Sequence, residues 1–469
     1  MVPIITQARG LLRQLPATLA SIAILFALIT WSAEAQEKKS LTQEERIEML
    51  EQKLESVTQE LQRMKETAPP EQGDRLSGIE KRLDILADEI EGIKAQGAEE
   101  KPVYEEKYGH AQGAAKVYGI AKGLSIGGYG EIISEFKAND DNIAQALRSI
   151  LYVGYKYSDR IVFDTEIEFE HASTGSNLDG EDGEVSVEFA NLDFMLNDYI
   201  NFRAGLNLVP FGIINEVHEP TTFHGVLRPD VERQIIPSTW SEVGVGIFGK
   251  FMPGLTYRAY AIDSLDSRGF KASNIRGGRG QGNRSRINDV AFVTRVEYEP
   301  IEEARLGTSF YIGNTGQNEK VEGKTIDGTL TMYEIDYQFH WRGFESRALF
   351  AYTWLGDAGL INANNGFEGE DSVGKQTFGF YVEGAYDVLP ILFDTSHYLA
   401  PFIRYEKYDT QKKVPSGFMR NPANDRQTIT YGLDYKPIPN VVLKADFQDR
   451  RNEDDSAKNQ FNLGIGWVF

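Results

Sequence analysis

From Leu124 onward the chain alternates apolar and polar side chains in segments of about ten residues, and this period of two limits its fold more than any other feature. A β-strand turns successive side chains to opposite faces. Near the C-terminal end, Phe461, Leu463, Ile465, Trp467 and Phe469 share one face, while Gln460, Asn462, Gly464 and Gly466 share the other. Further back, Ile161, Phe163, Thr165, Ile167 and Phe169 oppose Asp164, Glu166, Glu168 and Glu170. In the same way Tyr333, Ile335, Tyr337 and Phe339 oppose Glu334, Asp336 and Gln338. About sixteen such segments predict strands. They fall at 124–136, 144–157, 161–171, 184–196, 201–210, 242–251, 255–263, 288–298, 304–313, 328–340, 344–355, 376–389, 397–408, 427–435, 441–450 and 460–469.

A soluble sandwich would bury the apolar faces against a second sheet, whereas a barrel in lipid turns them outward around a wet interior. Three features favour the barrel. Aromatics gather at strand ends, as at Tyr298, Phe339, Trp341, Tyr352, Trp354 and Tyr435, the position of interfacial girdles. Connections alternate between short (158–160, 252–254, 341–343, 436–440) and long (173–183, 264–287, 356–375, 409–426). The last strand closes on Phe469, the kind of terminal residue expected of a bacterial barrel-assembly signal. The predicted fold is therefore all-β: a transmembrane antiparallel β-barrel over 124–469, preceded by an N-terminal α-helical coiled coil.

The N-terminal quarter reads differently. Arg9 and Arg13 precede an apolar stretch from Ala17 to Trp31, and Ala33-Glu34-Ala35 offers a small-x-small cleavage site, so 1–35 reads as a secretory signal peptide rather than a membrane anchor. Ile47, Leu50, Leu54, Val57, Leu61 and Met64 have the three–four spacing of a coiled-coil seam; Leu76, Ile79, Leu83, Leu86, Ile90 and Ile93 repeat it after Pro69-Pro70. These two heptad blocks, 47–64 and 76–93, lie in a segment 36–96 expected to be periplasmic. Each is too short to be stable alone, so they pair with one another, associate between chains, or lie as an amphipathic helix on another surface. Residues 97–123 read as a linker.

Composition excludes several functions. With no cysteine there can be no disulfide, thiolate metal site or cysteine nucleophile. A net charge of −21 argues against nucleic acid as a partner. The mean hydropathy of −0.38 is no argument against a membrane barrel, whose strands average out. His171, His218, His224 and His397 are too scattered for a metal motif. Gly277 to Gly280 lacks the flanks of a phosphate-binding loop, and Asp179 to Glu184 reads as a solvated acidic loop. No nucleophile–base pattern, catalytic residue or cofactor motif emerges, so no enzyme is expected.

One stretch resembles a known family. Arg203-Ala204-Gly205, Val209-Pro210-Phe211-Gly212, Glu232-Arg233 and Glu242-Val243-Gly244-Val245 are similar to the phosphate-selective porin O and P family, in which a strand ending in Pro-Phe-Gly enters a long third loop. The resemblance implies an outer-membrane homotrimer in contact with lipid, and an anion- or phosphate-selective pore as one alternative. By the same likeness to porins, the long connection 211–241 is expected to fold inward and narrow the channel. Glu216, His218, Glu219, His224, Arg228, Asp230, Glu232 and Arg233 are then candidate constriction residues. Arg148, Arg203, Arg258, Arg295, Arg305, Arg347, Arg404, Lys444, Glu334 and Asp336 are candidate channel-wall residues, with many of them expected in salt bridges. The functional expectation is a porin for passive diffusion of small hydrophilic or ionic solutes. The alternatives are anion selectivity and a structural tether contacting the cell wall through the coiled coil.

Overall fold

A computed structural model of the chain describes residues 106–178 and 182–469. The expected signal peptide and both heptad blocks lie outside the described residues.

The sixteen predicted segments are all strands, and they close on themselves in one antiparallel barrel. In chain order they are β1 (Gly123–Lys137), β2 (Ile143–Ser158), β3 (Ile161–Glu170), β4 (Val185–Met195), β5 (Asn201–Leu208), β6 (Ser241–Met252), β7 (Leu255–Asp263) and β8 (Val290–Ile301). The second half continues with β9 (Ala304–Gly313), β10 (Leu330–Trp341), β11 (Phe344–Leu355), β12 (Gln376–Tyr386), β13 (Tyr398–Lys413), β14 (Asp425–Ile438), β15 (Val441–Asn452) and β16 (Gln460–Val468). Each strand pairs with its neighbours in sequence, and β1 pairs with β16 from Tyr129↔Val468 to Lys137↔Gln460, so no free sheet edge remains. Phe469 adds a reciprocal pair of backbone hydrogen bonds with Gly128 at 2.8 and 3.0 Å.

Alternation sorts the side chains as expected. Leu124, Ile126, Phe202, Val245, Phe292, Ile335, Ile403 and Leu433 are exposed on the outside. The next residues along the strands, among them Arg203, Arg295, Glu334, Arg404 and Asp434, are buried on the inner face. Exposed rings gather at the short-turn end, where Tyr157, Tyr199, Phe251 and Trp341 flank turns of a few residues.

The structure corrects the linker. Within 97–123, residues Gln112–Gly119 form a helix, α1, whose Ala114, Ala115 and Val117 are buried against β1–β3. Val117 sits where a Cβ on Gly154 would be, so the glycine on the inner face of β2 is the space that admits the helix. Short apolar residues and a missing Cβ carry this packing, and neither shows as a heptad or an alternation.

The inner face is also not uniformly polar. Ala291 and Val293 on β8, Met332 on β10, and Leu349 and Ala351 on β11 point inward although outward neighbours such as Phe292 and Phe350 are apolar too. They join a dry core with Phe211, Ile214, Val231, Ile235, Ile236 and Trp240 of the β5–β6 connection and with Leu265 and Phe270 of the β7–β8 loop. Burying each of these large side chains contributes about 1.5–3 kcal/mol, which anchors a connection this long against its ordering entropy.

Candidate functional site

The connection between β5 and β6 spans 209–240 and touches inner-face groups around much of the barrel circumference. It opens with Gly212 at a φ of +80°, where a Cβ would meet the Glu232 carboxylate at 2.8 Å, so glycine suits this tight entry. Asn215 then ties the two ends together: its Nδ2 donates to the carbonyls of Val209 and Trp240 at 2.7 and 2.9 Å, and its Oδ1 accepts from the Trp240 backbone.

The predicted constriction residues meet different walls. Glu216 pairs with Arg258 of β7 at 3.0 Å. His218 Nε2 lies 3.5 Å from Glu166 of β3. Glu219 accepts from the Gly113 N–H of α1 at 2.8 Å. His224 sits between Asp434 of β14 (2.9 Å) and Glu345 of β11 (3.1 Å). Glu232 accepts from the Tyr381 hydroxyl of β12 at 2.7 Å and from the Ile214 N–H at 2.8 Å. Asp230 precedes a single helical turn, Val231–Gln234, whose first N–H donates to Glu406 of β13 at 3.3 Å. Arg228 and Arg233 face a cavity of about 300 Å³ together with Arg148 and Arg276. On Arg228, Nε and Nη2 lack hydrogen-bond partners.

Burial sets the protonation of these loop groups. It pushes Glu219 and Glu232 up to about 7, against the hydrogen bonds each accepts. Burial alone would lower His224, but hydrogen bonds to Asp434 and Glu345 outweigh it and raise the imidazole to about 9, so at neutral pH it is an imidazolium donating to both carboxylates.

The predicted basic wall does not stand as a free ladder. Arg148 pairs with Glu131 (2.5 Å), Arg203 with Asp193 (2.7 Å), and Arg258 with Glu297 (2.6 Å) as well as Glu216. Arg295 meets Glu297, Glu334 and Asp336 within 3.1 Å, and Arg305 meets Glu106 and Glu299. Arg347 and Arg404 share Glu383, and Arg404 also holds Glu406. Lys444 donates to the carbonyls of Phe223 and Gly225 at 2.7 and 2.8 Å. Glu334 and Asp336 are thus brought together by one guanidinium, and Arg404 and Lys444 hold 209–240 to the wall by its carbonyls.

Sequence reading missed Glu188, Asp193, Glu242, Glu383 and Asp434, all buried on the inner face. Glu383 and Asp434 lie on the regular alternation and could have been found. Glu188 could not be placed by it, because Glu188 and Phe189 are buried in succession where the β3–β4 register shifts, and the phase slips by one.

Two cavities lie at opposite ends of the interior. One of about 570 Å³ at the short-turn end is lined by Glu216, Arg258, Arg295, Glu297 and Arg305. The other, of about 300 Å³, lies toward the long loops.

These features define a closed sixteen-stranded antiparallel barrel with an apolar exterior and a charged, partly filled interior. The chain is 36% identical over 378 residues to an uncharacterized protein of Aquifex aeolicus (strain VF5), covering 78% of this chain and 84% of that one, and it belongs to the same family. No family model matches, so the resemblance to the porin O and P family rests on the residues quoted for it. Among solved structures, Salmonella typhi OmpF in complex with daunomycin is similar over 74% of this chain and 98% of its own, at 15% identity and a TM-score of 0.49. The trimer form of Vibrio cholerae OmpT, an outer membrane protein, is similar over 75% and 100%, at 12% identity and a TM-score of 0.47. The outer membrane channel DcaP of Acinetobacter baumannii is similar over 74% and 97%, at 14% identity and a TM-score of 0.46. Likenesses this distant add nothing to the barrel that the strand pairing already shows.

Proposed function

We propose that this protein is an outer-membrane porin through which small hydrophilic or ionic solutes diffuse passively, along a water-filled channel narrowed by segment 209–240 folded inside it. One observation carries the reading: a barrel without edges has apolar side chains outside and charges within, the arrangement that satisfies every backbone group in lipid while keeping the interior wet. The contacts of 209–240 with β3, β7 and β11–β15 support its place in the lumen. In the same reading, 1–35 is the export signal, 36–96 a periplasmic coiled coil, and the working form a homotrimer. The ion-paired wall arginines give no support to a phosphate ladder.

Reconstitution of the mature chain in planar bilayers tests this. Stepwise, ohmic currents are expected. A preparation that inserts as a folded barrel and passes no ions would remove the reading.

A further inference from the structure

The inner face of β3 and β4 carries a row of carboxylates that the surrounding contacts leave uncompensated. Asp164, Glu166 and Glu168 occupy every second position of β3, Glu188 stands on β4, and Glu219 reaches in from segment 209–240; each is at most 4% exposed. The cationic groups near them are held by other partners or stand off. Arg276 and Arg279 of the β7–β8 loop face Glu188 but donate to the carbonyls of Ser238 and Thr239. Lys116 of α1 faces Glu219, and Arg203 near Asp164 pairs with Asp193. Arg148 is committed to Glu131 and reaches Glu168 only at 4.0 Å. His218 lies 3.5 Å from Glu166, and His110 lies 3.9 Å from Asp164.

Unmet bonding recurs along the whole row. Both oxygens of Glu166 and one each of Asp164, Glu168, Glu188 and Glu219 have no hydrogen-bond partner. Two neighbours that are not acids share the deficit. His110, 1% exposed, has both ring nitrogens unpartnered, and Asn191, 3% exposed and directly across from Asp164 in the β3–β4 register, has both amide atoms unpartnered. Buried carboxyls and amides in this state lack a partner group.

The row also has a direction. At its long-loop end Glu170, Glu131 and Arg148 line the 300 Å³ cavity; at its short-turn end Gly109 and Gln112, beside His110, line the 570 Å³ cavity. Alternate residues of a strand lie about 6.8 Å apart, too far for one ion to be caged by successive carboxylates. Among the described residues no group of side chains is arranged to hold a metal ion. The row is a string of separate sites lying between the two chambers.

We propose that this row is the cation-recognising surface of the pore: alkali ions and primary ammonium groups pass between the chambers along β3–β4, and the row sets a preference for cations over anions. The proposal rests on the channel reading and names the solute charge that reading leaves open. A row of one charge sign is how pores select ions.

Reversal potentials of the full mature chain in a potassium chloride gradient test it. The wild type is expected to favour K⁺, and Glu166→Gln/Glu168→Gln to lower the K⁺/Cl⁻ permeability ratio severalfold. Asp409→Asn, an equally buried acid of β13 paired with Arg420 away from the row, should leave the ratio unchanged. If the double variant does not assemble, Glu166→Gln alone gives the same reading, since the nearest partner of Glu166 is the His218 ring nitrogen at 3.5 Å, which an amide oxygen can still face. Channels that conduct with the same ratio in wild type and Glu166→Gln overturn the proposal and leave the porin reading intact, as does a wild-type preference for Cl⁻. Absence of current removes both.

Discussion

At the scale of single residues, segment 209–240 is held by charges and carbonyls rather than by its own secondary structure. His224 shows the consequence for pH. Its folded pKa of about 9 exceeds its ordinary 6.5, so its stabilisation is complete below 6.5 and lost as pH rises through 9. Glu219 acts in the same direction over a lower window: raised to about 7, it is protonated in the folded chain while the unfolded carboxyl is already ionised, so folding loses stability as pH climbs from 4.5 to 7. His224→Gln should flatten the stability loss between pH 6.5 and 9 in denaturant titrations of the detergent-solubilised barrel. An unaltered slope would count against the clamp. Trp240 is fully buried against Phe211 and Tyr311. Trp240→Ala should cost about 3–5 kcal/mol in the same titrations.

At the scale of elements, two glycines decide what can pack. Gly205 on β5 has a φ of +143°, and a Cβ there would lie 2.2 Å from the Ala190 carbonyl of β4. Gly205→Val should therefore impair β4–β5 pairing and reduce the yield of folded, heat-modifiable barrel; normal assembly of that variant would contradict the close approach. Gly154 makes room for α1. Because a Cβ at Gly154 would lie 2.7 Å from that of Val117, Gly154→Val should unseat α1. Limited proteolysis of the assembled barrel should then cut within Gln112–Gly119, and an unchanged digest would contradict the contact. The strands themselves were legible, since Phe461 to Phe469 or Ile161 to Glu170 admit only one period. The helix was not, because its small residues gain meaning only beside Gly154.

At the scale of the whole molecule, the wide apolar exterior is the property that everything else presupposes. Removing most of segment 209–240, for example residues 216–233, should raise single-channel conductance severalfold while the strands still close; equal conductance would place the constriction elsewhere. The alternating sequence by itself determined a barrel of about sixteen strands and, wherever apolar and polar residues alternate without a slip, which side chains face out and which face in, because a strand allows a residue only two faces and lipid accepts only one kind. It did not determine which inner charge meets which. Arg404 finds Glu383 through strand register, His224 finds Asp434 across 210 residues of chain, and Glu188 turns inward only because the β3–β4 register slips. Alternation assigns a face and never a neighbour. The tertiary structure chose the neighbours, and so decided that the basic wall is spent on ion pairs while Asp164, Glu166 and Glu168 of β3 meet cationic groups only at 3.5 Å or beyond.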